Sequence, residues 1–418
     1  MIEEICQKAK VASVKMASLS ADQKNKALCQ MANALENNVG EILAANSVDV
    51  KAAEAKGVKP ALLDRLALDQ KKIQNMAKEL CEVSTLADPI GTVLSIYMNP
   101  NGLIVKQIRV PMGVVGVIYE SRPNVTSDSA GVCVKSGNAV ILRGGSDALQ
   151  SNLVIGEVLR GALLDTDVPV DAIQVVNSPD RKTAEELMSM RQYIDVLVPR
   201  GGADLINTVI EKSKIPVIET GTGNCHIYVE EDADLEIATP IIINAKIQRP
   251  GVCNAAEKLL VNSKIAKTYL PKIIAELRKC GVEVRGDQET CHIVSDVKAA
   301  IEQDWYTEYL DMIIGIKVVA DISEAIAHIN KYGTKHSEAI ITCNPAKATR
   351  FLQEIDSAAV YWNASTRFTD GNQFGLGTEI GISTQKLHAR GPMGIQHLTT
   401  TKHIITGNGQ IRKESFHI

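Results

Sequence analysis

Over its first 90 or so residues the chain places apolar side chains at helical intervals. Ser20, with Gln23 three residues on, has the form of a capping box, and Leu28, Met31, Ala32 and Leu35 then share one helical face. The period changes near Tyr97–Val110, where SIYMNPNGLIVKQIRV sets Asn-Pro-Asn-Gly between two alternating apolar arms and predicts a β-hairpin. From Gly113 onward, short apolar runs alternate with helical stretches that begin on polar residues. GVVGVIY, NAVILR, AIQVVN, DVLVP and PVIET form one set; HIYVE, EKLLVN, IIGIKVVA, EAIITC and AAVYWN form a second, after Gly223. Strands that are apolar throughout predict parallel sheets covered on both faces. The clearest helix is DISEAIAHINKYG, with Ile322, Ile326 and Ile329 on one face and Gly333 just past its end. The tail LTTTKHIIT alternates weakly. It and the hairpin each lack a local partner, so pairing with each other or with another subunit is expected. The fold class is α/β: two doubly wound, parallel-sheet domains in series, with a boundary near Glu219–Asn224 and a small β element besides.

Bulk composition narrows the class. A chain of 418 residues exceeds one typical core. Its 45% hydrophobic and 22% charged content is that of an ordinary globular protein. The net charge of −4 argues against a general nucleic-acid or membrane surface. No apolar run approaches the roughly 18–20 residues needed to span a bilayer, and MIEEICQKAK has acids where a signal peptide would be basic and apolar. A cytoplasmic protein is expected. The nine cysteines show no CxxC and no paired spacing, which suits a reducing compartment rather than a disulfide framework or zinc set. His226, His292 and His336 read as core or surface groups, and no metal site is expected.

Candidate chemistry lies in the loops. QRPGVCNAA (Gln248–Ala256) places Cys253 between an apolar helical stretch, Ile237–Ile247, and the strand EKLLVN. A thiol there can be held still yet reached. In VPRGGADLI, Gly201 and Gly202 lie between a strand and a helix, where bare backbone could approach a pyrophosphate or form a tight turn. Arg143 ends a buried strand ahead of Gly144, Gly145 and Ser146. It is either a strand-end surface group or the partner of a 2′-phosphate. Glu219, in ETGTGN, has the position of a general base or of a helix cap. The Gly- and Thr-rich stretch RFTDGNQFGLGTEIGIST (Arg367–Thr384) is long enough to be a substrate loop.

Six segments, ESRPNVTSD, RGGSDA, PRGGADL, ETGTGN, QRPGVCNAAEKLL and RFTDGNQFGLGTEIGIST, occur in the order used by the aldehyde dehydrogenase superfamily. Within it the chain most resembles the gamma-glutamyl phosphate reductase branch, over essentially its whole length. That resemblance implies NADPH-dependent reduction of gamma-glutamyl phosphate to glutamate 5-semialdehyde, with Cys253 as nucleophile. It implies an NADP-binding domain at 1–96 and 111–220, a catalytic domain at 221–375, and an oligomerisation element made of 97–110 and 376–418. Glu219 matches the superfamily's general-base glutamate, although a reaction without attack by water does not demand that base. Asn124 is the candidate oxyanion donor, with Ser121 as rival, because ESRPN replaces the superfamily's PWN motif. Glu308 resembles the glutamate that holds the nicotinamide ribose. Arg143 with Gly144 and Ser146, and Gly201 with Gly202, are the other implied cofactor contacts. Arg122, Arg249 and Arg367 are the candidate partners of substrate phosphate and carboxylate. A homo-oligomer is implied; association with the glutamate kinase that makes the labile substrate is left open. Also open at this stage are another acylating or oxidising aldehyde dehydrogenase, a non-catalytic scaffold, and a cysteine acyltransferase with no redox step.

Overall fold

The structure, a computed structural model, describes residues 1–412. The chain divides into two units: Met1–Ile218 with the C-terminal stretch from Met393, and Glu219–Pro392.

The first unit opens with helices Ile2–Met16, Ala21–Asn37, Val39–Ala55 and Gln70–Thr85. The second of these begins as its sequence dictates. The Gln23 N–H donates to Ser20 Oγ at 3.3 Å, and the Ser20 N–H donates to Gln23 Oε1 at 2.8 Å. Two otherwise orphaned amides are thereby satisfied. Leu28, Met31, Ala32 and Leu35 are all buried. The hairpin follows as β1 (Val93–Met98) and β2 (Ile104–Pro111), antiparallel to each other. Its missing partner is the tail: Thr399–Thr406 pairs antiparallel with β2, from Thr399 opposite Pro111 to Thr406 opposite Ile104. The pairing lies within one chain.

Four parallel strands then form the unit's second sheet: β3 (Val114–Tyr119), β4 (Ala139–Arg143), β5 (Ile173–Val175) and β6 (Val196–Arg200), ordered β5-β4-β3-β6. The expected fifth strand, PVIET, is not formed. Only an isolated bridge joins Val217 to Leu197. Pro216 has no N–H to give to a ladder, and the Glu219 N–H turns to the side chain of Gln385 at 3.0 Å.

The second unit is built on seven parallel strands: β7 (Cys225–Val229), β8 (Ala256–Asn262), β9 (Glu283–Gly286), β10 (Lys298–Ala299), β11 (Ile313–Val319), β12 (Ser337–Ile341) and β13 (Ala359–Trp362). Their order is β10-β9-β11-β8-β7-β12-β13. One face packs Leu259 and Val261 against Ile242, Leu270 and Ile273. The other packs Tyr228 and Leu260 against Ile326, Ile329 and Phe351. Strands β9 and β10 escape a reading of apolar runs because they are short and polar, β10 forming the edge of the sheet and β9 lying next to it. Gly333 ends its helix as expected, but not through a left-handed turn, since its φ is −66°. A Cβ there would lie 2.6 Å from the Ile329 carbonyl oxygen, so the position demands a small residue rather than a positive φ.

The stretch 376–392, grouped with the tail on sequence grounds, belongs instead to the second unit. Ile382–Ser383 pairs with Gly391–Pro392, and Gly221 donates to the Ile382 carbonyl at 2.9 Å. Asp356 ties the stretch down through Lys386 at 2.7 Å and Arg390 at 2.9 Å, with Lys335 at 3.4 Å. Lys386 foremost, then Arg390, holds the Asp356 carboxyl well below the usual carboxylate range. A depressed folded-state value means that the contribution is complete above the unfolded-state pKa near 4 and lost as pH falls through the folded value. Among the described residues no helix is long and apolar enough to cross a membrane. Asp356→Asn should loosen this stretch selectively: limited trypsinolysis at neutral pH should cut after Lys386 sooner than in the unmodified protein. Equal cleavage rates would show that the stretch is held by other contacts.

Candidate functional site around Cys253

The loop carrying Cys253 is fixed by the elements on either side. Helix Leu235–Ile247 starts at Asp234, whose side chain accepts the Glu236 N–H, and ends just before Gln248. Strand β8 begins three residues after the cysteine. Between them the Ala255 N–H closes a turn onto the Val252 carbonyl at 3.1 Å. Asn254 clasps this turn to the segment after β13. Its Nδ2 donates to the Thr369 carbonyl at 2.8 Å, its carbonyl accepts from Thr366 Oγ1 at 2.7 Å, and its Oδ1 accepts from the Arg367 guanidinium. The same guanidinium donates through Nε to Gln248 Oε1 at 2.7 Å.

From the other side comes the segment leading into β7. At Gly223 a Cβ would fall 1.4 Å from the Cys253 carbonyl oxygen, so two stretches of backbone touch where no side chain fits. The Gly223 N–H donates to Glu308 Oε1 at 2.6 Å. Cys225 Sγ lies 3.1 Å from the Cys253 carbonyl oxygen. The two thiols differ in kind: Cys225 is buried, and burial foremost pushes its thiol well up, whereas Cys253 is partly exposed. A buried apolar thiol is inert.

Positive charge gathers at the same loop. Arg249 is exposed, Arg367 is half-buried, and both Arg249 and Cys253 lie within the electrostatic reach of Arg367. Glu308 is half-buried, and burial raises its carboxyl while the Gly223 N–H and then Lys258 pull it back. Behind the loop, β8 carries Glu257 and Lys258, both fully buried. Burial pushes Glu257 up to about 7 and Lys258 down to about 7, against their mutual attraction. The histidines are core groups or surface groups as read: His226 and His336 are buried and held neutral by burial, down to about 3 and about 4, and His292 is exposed. Glu219, half-buried, enters the second unit with its N–H on Gln385. The stretch after Arg367 closes on itself, with the Gly371 N–H on Glu379 Oε2 at 3.0 Å and Gly375, Gly377 and Gly381 at positive φ.

The remaining candidates lie in the first unit. Arg143, at the carboxyl end of β4, donates through one terminal nitrogen to the Pro179 and Asp180 carbonyls, each at 3.2 Å. Its buried Nε has no hydrogen-bond partner. Burial foremost, then the neighbouring Arg181, lowers the guanidinium. Gly144 is required by packing, since a Cβ there would lie 2.0 Å from Asn152 Nδ2. Ser146 is exposed and opens the turn Ser146–Ala148. Gly201 faces a carboxylate: a Cβ would lie 2.6 Å from Glu120 Cδ, and Gly202 is the N-cap of helix Ala203–Lys212. The Arg143 end of the sheet therefore fits an anionic cofactor group better than the Gly201–Gly202 turn does. Asn124, in the first turn of helix Asn124–Lys135, spends its amide on Asp128 Oδ2 at 2.8 Å. Burial and Glu79 push Asp128 up to about 8. Arg122 lies in the turn before that helix, its N–H on the Glu120 carbonyl at 2.7 Å.

The structure thus brings Cys253, Arg249, Arg367 and Glu308 together in the second unit. Arg143, Gly144, Ser146, Gly201, Gly202, Arg122 and Asn124 lie in the first. Asn254 and Gly223 hold the cysteine loop, yet the sequence carries no mark of that role. An asparagine beside a cysteine gives no sign of which carbonyls it will reach. Asn254→Ala strips the Thr369 carbonyl and Arg367 of a partner and should cost about 1–3 kcal/mol in urea unfolding, with an unchanged slope. A loss within about 0.5 kcal/mol of zero would show that the clasp does not hold the loop.

Comparison with known proteins agrees with this architecture. The aldehyde dehydrogenase family model matches residues 1–303. The chain is 55% identical over 413 residues to the gamma-glutamyl phosphate reductase of Dictyoglomus thermophilum, covering 99% of each chain. The crystal structure of gamma-glutamyl phosphate reductase from Thermotoga maritima superposes with a TM-score of 0.97 at 51% identity, over 99% of this chain and 100% of that one. An acetylating aldehyde dehydrogenase from Geobacillus thermoglucosidasius shares the fold, with a TM-score of 0.70 at 18% identity over 99% of this chain and 98% of that one. With a cysteine-bearing α/β unit, a second parallel-sheet unit and relatives matched from end to end, the chain belongs to the aldehyde dehydrogenase family, in its gamma-glutamyl phosphate reductase branch.

Proposed function

We propose that this protein reduces L-glutamyl 5-phosphate to L-glutamate 5-semialdehyde and phosphate, the second step of proline formation from glutamate, through a thioester on Cys253. The observation that carries the reading is the partly exposed Cys253 thiol on a loop pinned from both sides, with Arg249 and Arg367 beside it. The thiolate attacks the acyl carbon, and the carbon–oxygen bond to phosphate breaks, with phosphate taking the electron pair. Two guanidiniums suit the charge of the incoming acyl phosphate and of the departing phosphate. Because the loop is held before substrate arrives, the thiol needs no reorganisation at the moment of attack.

NADPH, when bound, supplies the hydride that brings the acyl group to the aldehyde level. The residues assigned to hold it are Arg143, with Gly144 and Ser146, at the end of β4, with Gly201, Gly202 and Glu308 as further contacts. The unpartnered Nε of Arg143 beside Arg181 supports a 2′-phosphate there and hence NADPH over NADH. Glu120 against Gly201 weakens the assignment of that turn. Cys253 then leaves as thiolate, keeping the electron pair of the carbon–sulfur bond, when the semialdehyde is released. No hydrolytic base is needed, so no catalytic step is placed on Glu219; Arg122 is kept as a substrate contact, and Asn124, whose amide must leave Asp128 to do so, as oxyanion donor. The sheet of β1, β2 and Thr399–Thr406 is assigned to self-association, because Ile96, Tyr97, Met98 and Ile405 stand exposed on it.

Cys253→Ala should abolish NADPH consumption with enzymatically generated acyl phosphate while leaving NADPH binding near normal; the other eight cysteines should tolerate replacement. Substantial turnover by the variant would sink the assignment. Arg143→Ala should weaken NADPH binding about tenfold to a hundredfold and leave NADH nearly unchanged, a charge-assisted hydrogen bond being worth about 1.5–3 kcal/mol. Equal use of both cofactors by the unmodified protein would refute the 2′-phosphate role.

A further inference from the structure

Two adjacent residues of β8, Glu257 and Lys258, point to opposite faces of the sheet and are fully buried. Each reaches the segment on one side of Glu308. Lys258 Nζ donates to the Thr307 carbonyl at 2.8 Å, just before Glu308. Glu257 accepts the N–H of Tyr309 at 3.2 Å and of Leu310 at 3.3 Å, just after it. Leu310 has a φ of 53°, a conformation that disfavours a leucine, and the carboxylate satisfies the two successive amides that lead into that strained turn. Lys258 Nζ also donates to Asn224 Oδ1 at 2.8 Å. Asn224 follows Gly223, the residue whose backbone rests on the Cys253 carbonyl and whose N–H is held by Glu308. Lys246, at the end of the helix leading into the cysteine loop, lies 3.3 Å from Glu257.

We infer that Glu257 and Lys258 are positioning residues for the Cys253 centre, together fixing the Gly223–Asn224 and Thr307–Leu310 segments against the backbone of the nucleophile loop. The inference rests on the reading of Cys253 as nucleophile. Stability alone gives no reason for the arrangement. Buried ions lose their hydration, and well-packed apolar residues of similar volume commonly do as well or better. These charges instead end on the segment around Glu308 and on Asn224. Glu257 accepts from the Tyr309 and Leu310 amides, while Lys258 donates both to the Thr307 carbonyl and to the Asn224 side chain, joining that segment to the one that rests on Cys253. The ring of Tyr309, 4.4 Å from Lys258 Nζ, closes over the cation. Neither residue touches the thiol, so both act through the segments they hold.

The test uses the full chain with two variants, Lys258→Met and Glu257→Gln. Cys253 acylation is read without NADPH as the burst of phosphate released from enzymatically generated acyl phosphate, against substrate concentration. Amide exchange over 219–226 and 305–311 is followed in parallel by mass spectrometry. The expected result is a maximal burst rate lowered about tenfold to a hundredfold, with an unchanged half-saturating concentration and faster exchange confined to those two stretches. A burst of unmodified rate in either folded variant would overturn the inference. If Lys258→Met does not fold, Glu257→Gln, which keeps the shape of the side chain, decides alone. If the unmodified protein itself gives no burst, the functional reading has failed. The exchange arm then judges the clamp separately, and unchanged exchange at both stretches would overturn it.

Discussion

The contact on which the second unit's chemistry depends is between two backbones. Gly223 meets the Cys253 carbonyl so closely that no Cβ can come between them. A side chain at 223 would separate the lead-in of β7 from the Cys253 loop and carry away the N–H held by Glu308. Only a glycine lets a carbonyl and a neighbouring main chain approach in this way. Asn254 and Arg367 then need only close the opposite side of the loop, which they do through the segment after β13. The partly exposed thiol is thus surrounded by groups whose positions are set before any substrate is present.

Charge in this unit is arranged by depth. The outer guanidiniums, Arg249 and Arg367, keep contact with solvent and suit an anion that comes and goes. The inner charges, Lys246, Glu257 and Lys258, are sealed and spend their hydrogen bonds on main chain, on the Asn224 side chain and on one another. Interior charges are strongly coupled because little water screens them, so replacing one disturbs the rest. Cys225 and His336 share this interior, and burial removes both from acid–base chemistry near neutral pH.

The first unit shows how far a glycine can mislead. Gly144, Gly145 and Gly201 look alike in sequence, each following or near a strand end. Gly144 is small because Asn152 packs on it, Gly145 because Ser121 lies 3.2 Å from where its Cβ would be, and Gly201 because Glu120 crosses it. None is an open cradle. Arg143, at the end of β4, differs from them in keeping a buried Nε without a hydrogen-bond partner.

The sequence by itself settled what local periodicity and motif order can carry: the capping box at Ser20, the helical face from Leu28 to Leu35, nine of the ten apolar runs read as strands, the cysteine loop and the family. It failed where tertiary context overrode the pattern. PVIET is apolar, but Pro216 has no N–H to donate and Glu219 is drawn to Gln385, so the pairing stops at one bridge. Strand β10 is exposed at the sheet edge, and its neighbour β9 is short and only partly buried, so neither forms an apolar run. The stretch 376–392 joined the second unit through Asp356, a residue whose partners, at Lys335, Lys386 and Arg390, no spacing rule connects. The pairing of the tail with β2, the contact at Gly223 and the Glu257–Lys258 arrangement join residues far apart along the chain. Periodicity reports which face of an element is buried. Which distant group meets it there is decided only when the sheets close.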